Sequence, residues 1–408
     1  MSMKLHSKGI TQLAIFIFLA FVFLPKDLWG ATINAVSCSA ADVQSAIDTA
    51  SIGDTVSIPA GECVWGDNGS YISVDKAITL QGAGQGETII TLSDTGGTWT
   101  SGTIRISAPA TVKSMSINGS DVNPVCAFST STSNGWRITD IDYNGGARGS
   151  YFLYVGNVYG LIDKCDITGG VGNAELIFVR GPLDSWQTPH SMGAADNVFI
   201  EDNFFNGYGY VCDANSNSRV VVRFNTITGP MKVDGHGKAS NYPPRGVRHM
   251  EVYNNTWTST HNYWAAIEMR GGTGRVFNNS IESPNAWVLL VEYGSVSQWP
   301  NFNSTCQCPE DYPIDDQIGV GMDPKVGGSA PMYLWNNTKG GSPLTLSWKP
   351  TTNCTSTCGE FSMTDIIQEG RDYFISDTKP AAMSEYTPFP YPHPMRNPSS
   401  PRNLRILE

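Results

Sequence analysis

The stretch Asn203-Phe-Phe-Asn-Gly207, followed 22 residues later by Asn225-Thr-Ile-Thr-Gly229, decides how this chain folds. Each is a short alternating segment closed by a turn residue, and alternation sends successive side chains to opposite faces of a strand. The unit recurs upstream as Met115-Ser-Ile-Asn-Gly119, Ile141-Asp-Tyr-Asn-Gly145 and Cys165-Asp-Ile-Thr-Gly169. It recurs downstream as Asn255-Thr-Trp-Thr-Ser259 and Asn279-Ser-Ile-Glu-Ser283. Equivalent positions are separated by 26, 24, 38, 22, 30 and 24 residues. Repeats of this length mean stacked units, each burying its apolar side against its neighbours. The 22–24 residue step suits one coil of a few short strands and turns, and the longer steps place inserted loops at about 181–196 and 236–247. The expected fold is all-β: a right-handed parallel β-helix, a solenoid with a short N-terminal capping helix and a loop-rich C-terminal region.

The cap is read from residues 40–51 (AADVQSAIDTAS), where Val43, Ala46, Ile47 and Ala50 share one helical face. The strand Thr55–Ile58 follows and is stopped by Pro59-Ala60-Gly61. Without such a cap, the first coil exposes a sheet edge and an apolar end. The Asn-Asn pairs at 254–255, 278–279 and 336–337 fit turns, where Asn tolerates the left-handed conformation. Stacked Asn side chains also hydrogen-bond along a solenoid, so a structural role is expected. The period is lost over 295–360, a region rich in Pro, Gly, Asn and Cys. The tail Tyr386-Thr-Pro-Phe-Pro-Tyr-Pro-His-Pro-Met395 cannot be helix or central strand and is expected to run extended along the surface. The resulting division is a signal peptide at 1–30, the capped solenoid at 31–294 and an irregular region at 295–408.

Composition agrees. Of 408 residues, 42 are glycine and only 15% are charged, which favours a turn-rich β protein over a helical one. Lys4 and Lys8 precede the apolar run Leu13 to Leu24, which is too short for a comfortable transmembrane helix; Pro25 ends it, and Gly30-Ala31 offers a cleavage point. The expectation is a secreted protein, extracellular or periplasmic, with no lasting membrane insertion. The formal charge is −11, and losing Lys4, Lys8, Lys26 and Asp27 with the signal, a net +2, leaves −13. So acidic a chain is not expected to bind nucleic acid. No oligomer signal stands out, and a monomer is expected. Of nine cysteines, Cys38 and Cys63 flank the cap and are expected to staple it, and Cys306, Cys308, Cys354 and Cys358 form a second disulfide group. Cys126, Cys165 and Cys212 lie within strand-like runs and read as buried thiols.

The cap motifs (Cys38-Ser-x-x-Asp42-Val-Gln, then Gly53-Asp-Thr-Val-x-Ile-Pro-Ala-Gly61), together with the coils, resemble the pectate-lyase-like parallel β-helix superfamily over about 35–290. The resemblance implies the fold. It leaves function among lyases, hydrolases, esterases and non-enzymatic surface proteins.

Charge distribution narrows the choice. Between Arg219 and Arg275 lie eight cations and three acids, a local +5 that also holds His236, His249 and His261. A cationic cleft attracts a polyanion such as an acidic polysaccharide. In the strand Ala266-Ile-Glu-Met-Arg270, Ile267 and Met269 are expected inside, with Glu268 and Arg270 outward. One coil earlier stands Met231-Lys-Val-Asp-Gly-His-Gly-Lys238, and one before that Tyr210-Val-Cys-Asp-Ala-Asn215. Coils stack about 4.8 Å apart, so Asp213, Asp234, His236, Lys238, Glu268 and Arg270 are expected to line one groove. Arg245, Arg248, Tyr242 and Trp264 are expected at its wall as further substrate contacts.

The order Lys238, strand Met250–Asn254, then Ile267-Glu-Met-Arg270 resembles the chondroitinase B and alginate lyase type of β-helix lyase. That resemblance implies β-elimination on a uronate-containing polymer, with Lys238 as base, Arg270 as second catalytic cation and His236 in support. The family's calcium carboxylates are not matched, since Met231 and Val233 stand in their place; Asp213 and Asp234 are the remaining candidates for a calcium ion. The alternatives are a hydrolase of the polygalacturonase type, for which Gly235-His-Gly237 is the single matching motif, and a non-catalytic glycan-binding or cell-surface β-helix.

Overall fold

A computed structural model describes residues 30–67, 70–93, 101–121, 123, 125–146, 151–169, 174–237, 245–259, 265–282, 288–290, 317–322, 328–347 and 362–397. The expected signal segment up to residue 29, Cys306, Cys308, Cys354 and Cys358 lie outside these residues. No helix among the described residues is long and apolar enough to cross a membrane.

The chain winds into a parallel β-helix with three strands per coil. One ladder stacks Gly160–Asp163, Val198–Glu201, Arg219–Arg223, His249–Tyr253 and Thr273–Phe277. A second stacks Asp166–Thr168, Phe204–Asn206, Thr226–Ile227, Thr256–Trp257 and Ser280–Ile281. The third, which carries the candidate site, stacks Tyr151–Gly156, Ala174–Arg180, Gly209–Ala214, Met231–Gly235, Ile267–Met269 and Val288–Leu290. Inward residues form in-register columns: Ile162, Ile200, Val222, Val252, Val276 and Leu334 on the first ladder, all buried. Ile167, Phe205, Ile227, Trp257 and Ile281 do the same on the second. This column packing is what the repeat of alternating segments encodes.

The corner between the first two ladders explains the Asn pairs, because the two members do different work. Asn254, Asn278 and Asn336 take the left-handed conformation, with φ of 56°, 55° and 50°. Their successors point inward. Asn203, Asn225, Asn255, Asn279 and Asn337 form a buried ladder in which each Nδ2 donates to the next Oδ1 at 2.9–3.0 Å. Each of the last four Oδ1 atoms also accepts the backbone N–H of the preceding Asn. The amides thereby satisfy main-chain groups that the corner turns away from the sheets.

The cap helix spans Ala40–Thr49, with Ser39 accepting from the Asp42 N–H at its start. Val43, Ala46 and Ile47 face the core, and Lys76 Nζ donates to the carbonyls of Ile47, Asp48 and Ala50 at its end. The Cys38–Cys63 disulfide is formed, and Cys126, Cys165 and Cys212 are buried free thiols. The solenoid continues beyond residue 294: Met332–Trp335 pairs in parallel with Thr273–Phe277, and Tyr373–Ser376 pairs with Met332–Trp335. The 58-residue interval between Asn279 and Asn337 hides this coil from a period search.

The proline-rich tail crosses the outer face of the first ladder, over Leu161, Phe199, Val221, Tyr253, Phe277 and Trp335. Arg223, fully buried, is the fastener: it pairs with Glu201 at 2.5 Å and donates to the carbonyls of Phe389 and Pro390. Further along, Arg396 pairs with Asp163, Glu201 and Asp202.

Candidate functional site

On the third ladder, register places Asp213, Asp234 and Glu268 side by side on adjacent coils. Alternation about Asp234 then puts Lys232 on the same outer face, beside Tyr210. Two residues beyond Glu268 stands Arg270. The groups interlock. Lys232 Nζ bonds Glu268 Oε2 and lies 3.8 Å from Asp234 Oδ2; Arg270 Nη2 bonds Asp234 Oδ2, and its Nε is 4.0 Å from Glu268 Oε1. Lys232 also stands 4.3 Å over the Tyr210 ring. Although all of these project from the outer face, Asp213, Asp234, Glu268, Lys232 and Arg270 are each less than 9% exposed.

Burial at close range splits the proton affinities. Burial first, and the Asp234 charge second, push Asp213 up to about 7. Burial and the charges of Asp213 and Asp234 push Glu175 up to about 8. Burial acts the same way on Asp234, but Arg270 and then Lys232 override it and hold Asp234 below the usual carboxylate range. Burial opposes the charge of Arg270 too, yet Asp234 and Glu268 tighten its hold on its proton. His236 is driven down to about 4 by burial and then by Arg270. Its Nδ1 lies 2.8 Å from the Gly237 carbonyl, which only accepts, so Nδ1 carries the hydrogen and Nε2 is the bare lone pair. Three buried atoms in this row have no hydrogen-bond partner among the described residues: Asp213 Oδ1, Asp234 Oδ1 and Arg270 Nε.

The expected residues therefore divide. Asp213, Asp234, His236, Glu268 and Arg270 come together. Arg245 lies at the neighbouring corner, 4.5 Å over the Trp186 ring. Arg248 is fully buried and donates from Nε and Nη2 to the carbonyls of Ser185 and Thr188, which pins the 182–197 loop. Lys238, Tyr242 and Trp264 lie outside the described residues. The local +5 is not one cleft. Arg219, Arg223, Arg248 and Arg275 serve the first ladder, its loop and the tail, and among the described cations only Lys232 and Arg270 join the candidate row. Glu175, Tyr210 and Lys232 were not singled out from the sequence. Extending the alternation two residues before Asp234 identifies Lys232; a register shift between Tyr210 and Cys212 obscures the others.

As a calcium site the trio fits poorly. Lys232 and Arg270 already fill the space between Asp234 and Glu268, and a divalent cation there meets two like charges. No group of three or more His, Cys, Asp and Glu among the described residues is arranged to hold a metal ion.

No protein-family model and no curated protein matches this sequence. Solved structures that superpose on it include an alginate lyase from Paenibacillus sp. (16% identity, 63% of this chain and 96% of that one, TM-score 0.41). A PL6 family polysaccharide lyase from Pseudopedobacter saltans matches at 12% identity over 86% and 94% of the two chains, with TM-score 0.49. A pectin methylesterase from Erwinia chrysanthemi matches at 11% over 85% and 99%, with TM-score 0.36. Likenesses this distant carry no argument about activity; the fold stands on the ladders described above.

Proposed function

We propose that this protein is a secreted carbohydrate-active enzyme that cleaves a uronate-containing polysaccharide by β-elimination at the Asp213–Asp234–Glu268 row. The observation that carries the reading is the presence, in one buried row, of a proton-holding carboxyl, an ionised carboxylate, two cations and an imidazole with a bare Nε2. Divergent proton affinities in neighbouring groups are the mark of an acid–base pair.

In this reading Arg270 Nε–H, which makes no hydrogen bond and has Glu268 Oε1 at 4.0 Å, receives the uronate carboxylate and stabilises the charge that gathers there. His236 Nε2 takes the proton from C5. The electron pair forms the C4–C5 double bond, the C4–O4 bond breaks, and Asp213 gives its proton to the departing oxygen. The substrate carboxylate offsets the Arg270 charge that depresses His236, so the base strengthens when substrate is bound. Lys238 is a second candidate base, and Tyr242, Trp264 and Arg245 are candidate substrate contacts. No step is routed through calcium.

One observation favours a second reading. Asp213 and Asp234 are adjacent carboxylates of opposite protonation, which also suits glycoside hydrolysis. Incubation with alginate, pectate, chondroitin sulfate and glucuronan separates the readings. Elimination gives an ultraviolet-absorbing unsaturated uronate, hydrolysis gives reducing ends alone, and neither product from any polymer sinks both.

A further inference from the structure

A second group of buried charges lies on the first ladder, away from the candidate row. Arg219, His249 and Thr273 stand side by side in register on three successive coils. The 182–197 loop folds against them. Arg248 Nε and Arg219 Nη2 share the Ser185 carbonyl at 2.9 and 3.4 Å, and Arg219 also meets Asp196 at 3.0 Å. The His190 and His249 rings are 6.3 Å apart. Among the described residues Arg248 and Arg275 have no carboxylate partner within ion-pair distance, and their acceptors are all backbone carbonyls. Glu251, beside Arg275 in register, is occupied by Tyr386 Oη and the Gly193 N–H.

Five polar atoms here are buried and have no hydrogen-bond partner among the described residues: Arg219 Nε, Arg248 Nη1, Arg275 Nε, Thr273 Oγ1 and His249 Nδ1. Such atoms are rare in folded proteins, and buried cations are ordinarily paired. Asn197 settles which His249 nitrogen bears hydrogen. Its Nδ2 is committed to the carbonyls of Ser191 and Ala194, so its Oδ1 accepts from His249 Nε2 at 2.8 Å. His249 Nδ1 is left facing Arg219, Arg248, Arg275 and His190, whose combined field, after burial itself, keeps the ring neutral.

We propose that these side chains form a structural binding site for a small monovalent anion of halide type, held by Arg248, Arg219, Arg275 and Thr273 beneath the 182–197 loop. The anion supplies the missing counter-charge and ties the loop to the solenoid wall. Beside it His249 Nδ1 gains a proton and becomes a donor, so anion uptake brings in a proton and tightens as pH falls.

The test uses bromide as probe on the full chain, at constant ionic strength with methanesulfonate as the bulky balancing anion. The expected result is a saturable rise in Tm with bromide, larger at lower pH, and an anomalous diffraction peak among these five atoms. Thr273→Val, which leaves every arginine in place, weakens the bromide dependence severalfold; Arg248→Gln abolishes it if that variant folds. A wild-type crystal grown in bromide that shows only ordered water between these side chains, with a Tm indifferent to bromide, overturns the proposal without reference to any variant.

Discussion

Replacing Asn255 by Ala tests how the solenoid corner is held. The Asn255 side chain is buried and takes part in five hydrogen bonds. Its Oδ1 accepts the backbone N–H and the Nδ2 of Asn225, each at 3.0 Å; its Nδ2 donates to the carbonyls of Val222 and Tyr253 and to Asn279 Oδ1. Truncation strands the Asn225 N–H and the Val222 carbonyl in the interior. At roughly 1–3 kcal/mol for each of the two orphaned buried groups, the expected loss is about 2–6 kcal/mol. The adjacent Asn254→Ala removes no ladder bond and only asks Ala to adopt φ 56°, a cost of about 1–2 kcal/mol; Asn254→Gly costs less still. Urea unfolding followed by circular dichroism gives the three values. Hydrogen exchange across 222–228 shows whether the damage is local, as a solenoid permits. If Asn255→Ala destabilises no more than Asn254→Ala, the ladder is not what holds the corner.

Other expectations follow from the same structure. Arg223→Met leaves the buried Glu201 carboxylate with Arg396 and the His393 N–H alone and removes a charge-assisted hydrogen bond, a cost of about 2–3 kcal/mol; limited proteolysis is then expected to cut between residues 386 and 397, which the wild type should protect. Opening the Cys38–Cys63 bridge, a 25-residue separation, destabilises the cap by about 3 kcal/mol, measured as unfolding with and without reductant. Asp213, raised to about 7 in the fold, holds a proton that the unfolded chain has released, so its stabilising contribution is full below about pH 4 and fades as pH rises through 7. Asp213→Asn should flatten that slope and make the protein more stable than wild type above pH 7, while lowering kcat by roughly 10²–10⁴ if Asp213 is the general acid. His236, lowered to about 4, works in the opposite sense: stability is lost as pH falls from about 6.5 toward 4, and His236→Gln removes that loss.

Much of this architecture is legible in the chain because a solenoid repeats its instructions. The seven units from Met115 to Asn279 keep one register through the second ladder, and the outward pair Glu268–Arg270 follows from alternation alone. Sequence does not reveal which of three faces a charge occupies. Arg223 and Lys232 are nine positions apart, yet one fastens the tail on the first ladder and the other meets Glu268 on the third. Summing charge over 219–275 therefore describes no surface. Glu175 escaped notice for a related reason. A register shift in the next coil and an inserted loop of its own separate it from Asp213, whose charge raises its proton affinity.

The claim that the Asp213–Asp234–Glu268 row is a catalytic site is tested most directly by the structure of His236→Ala with a uronate oligosaccharide. The expected result is sugar lying across the three carboxylates, a carboxylate group against Arg270 Nε, and C5 directed into the space vacated by the imidazole. An oligosaccharide bound on another face, or no binding by a variant whose wild-type parent degrades the same polymer, contradicts it and returns the row to a purely structural role.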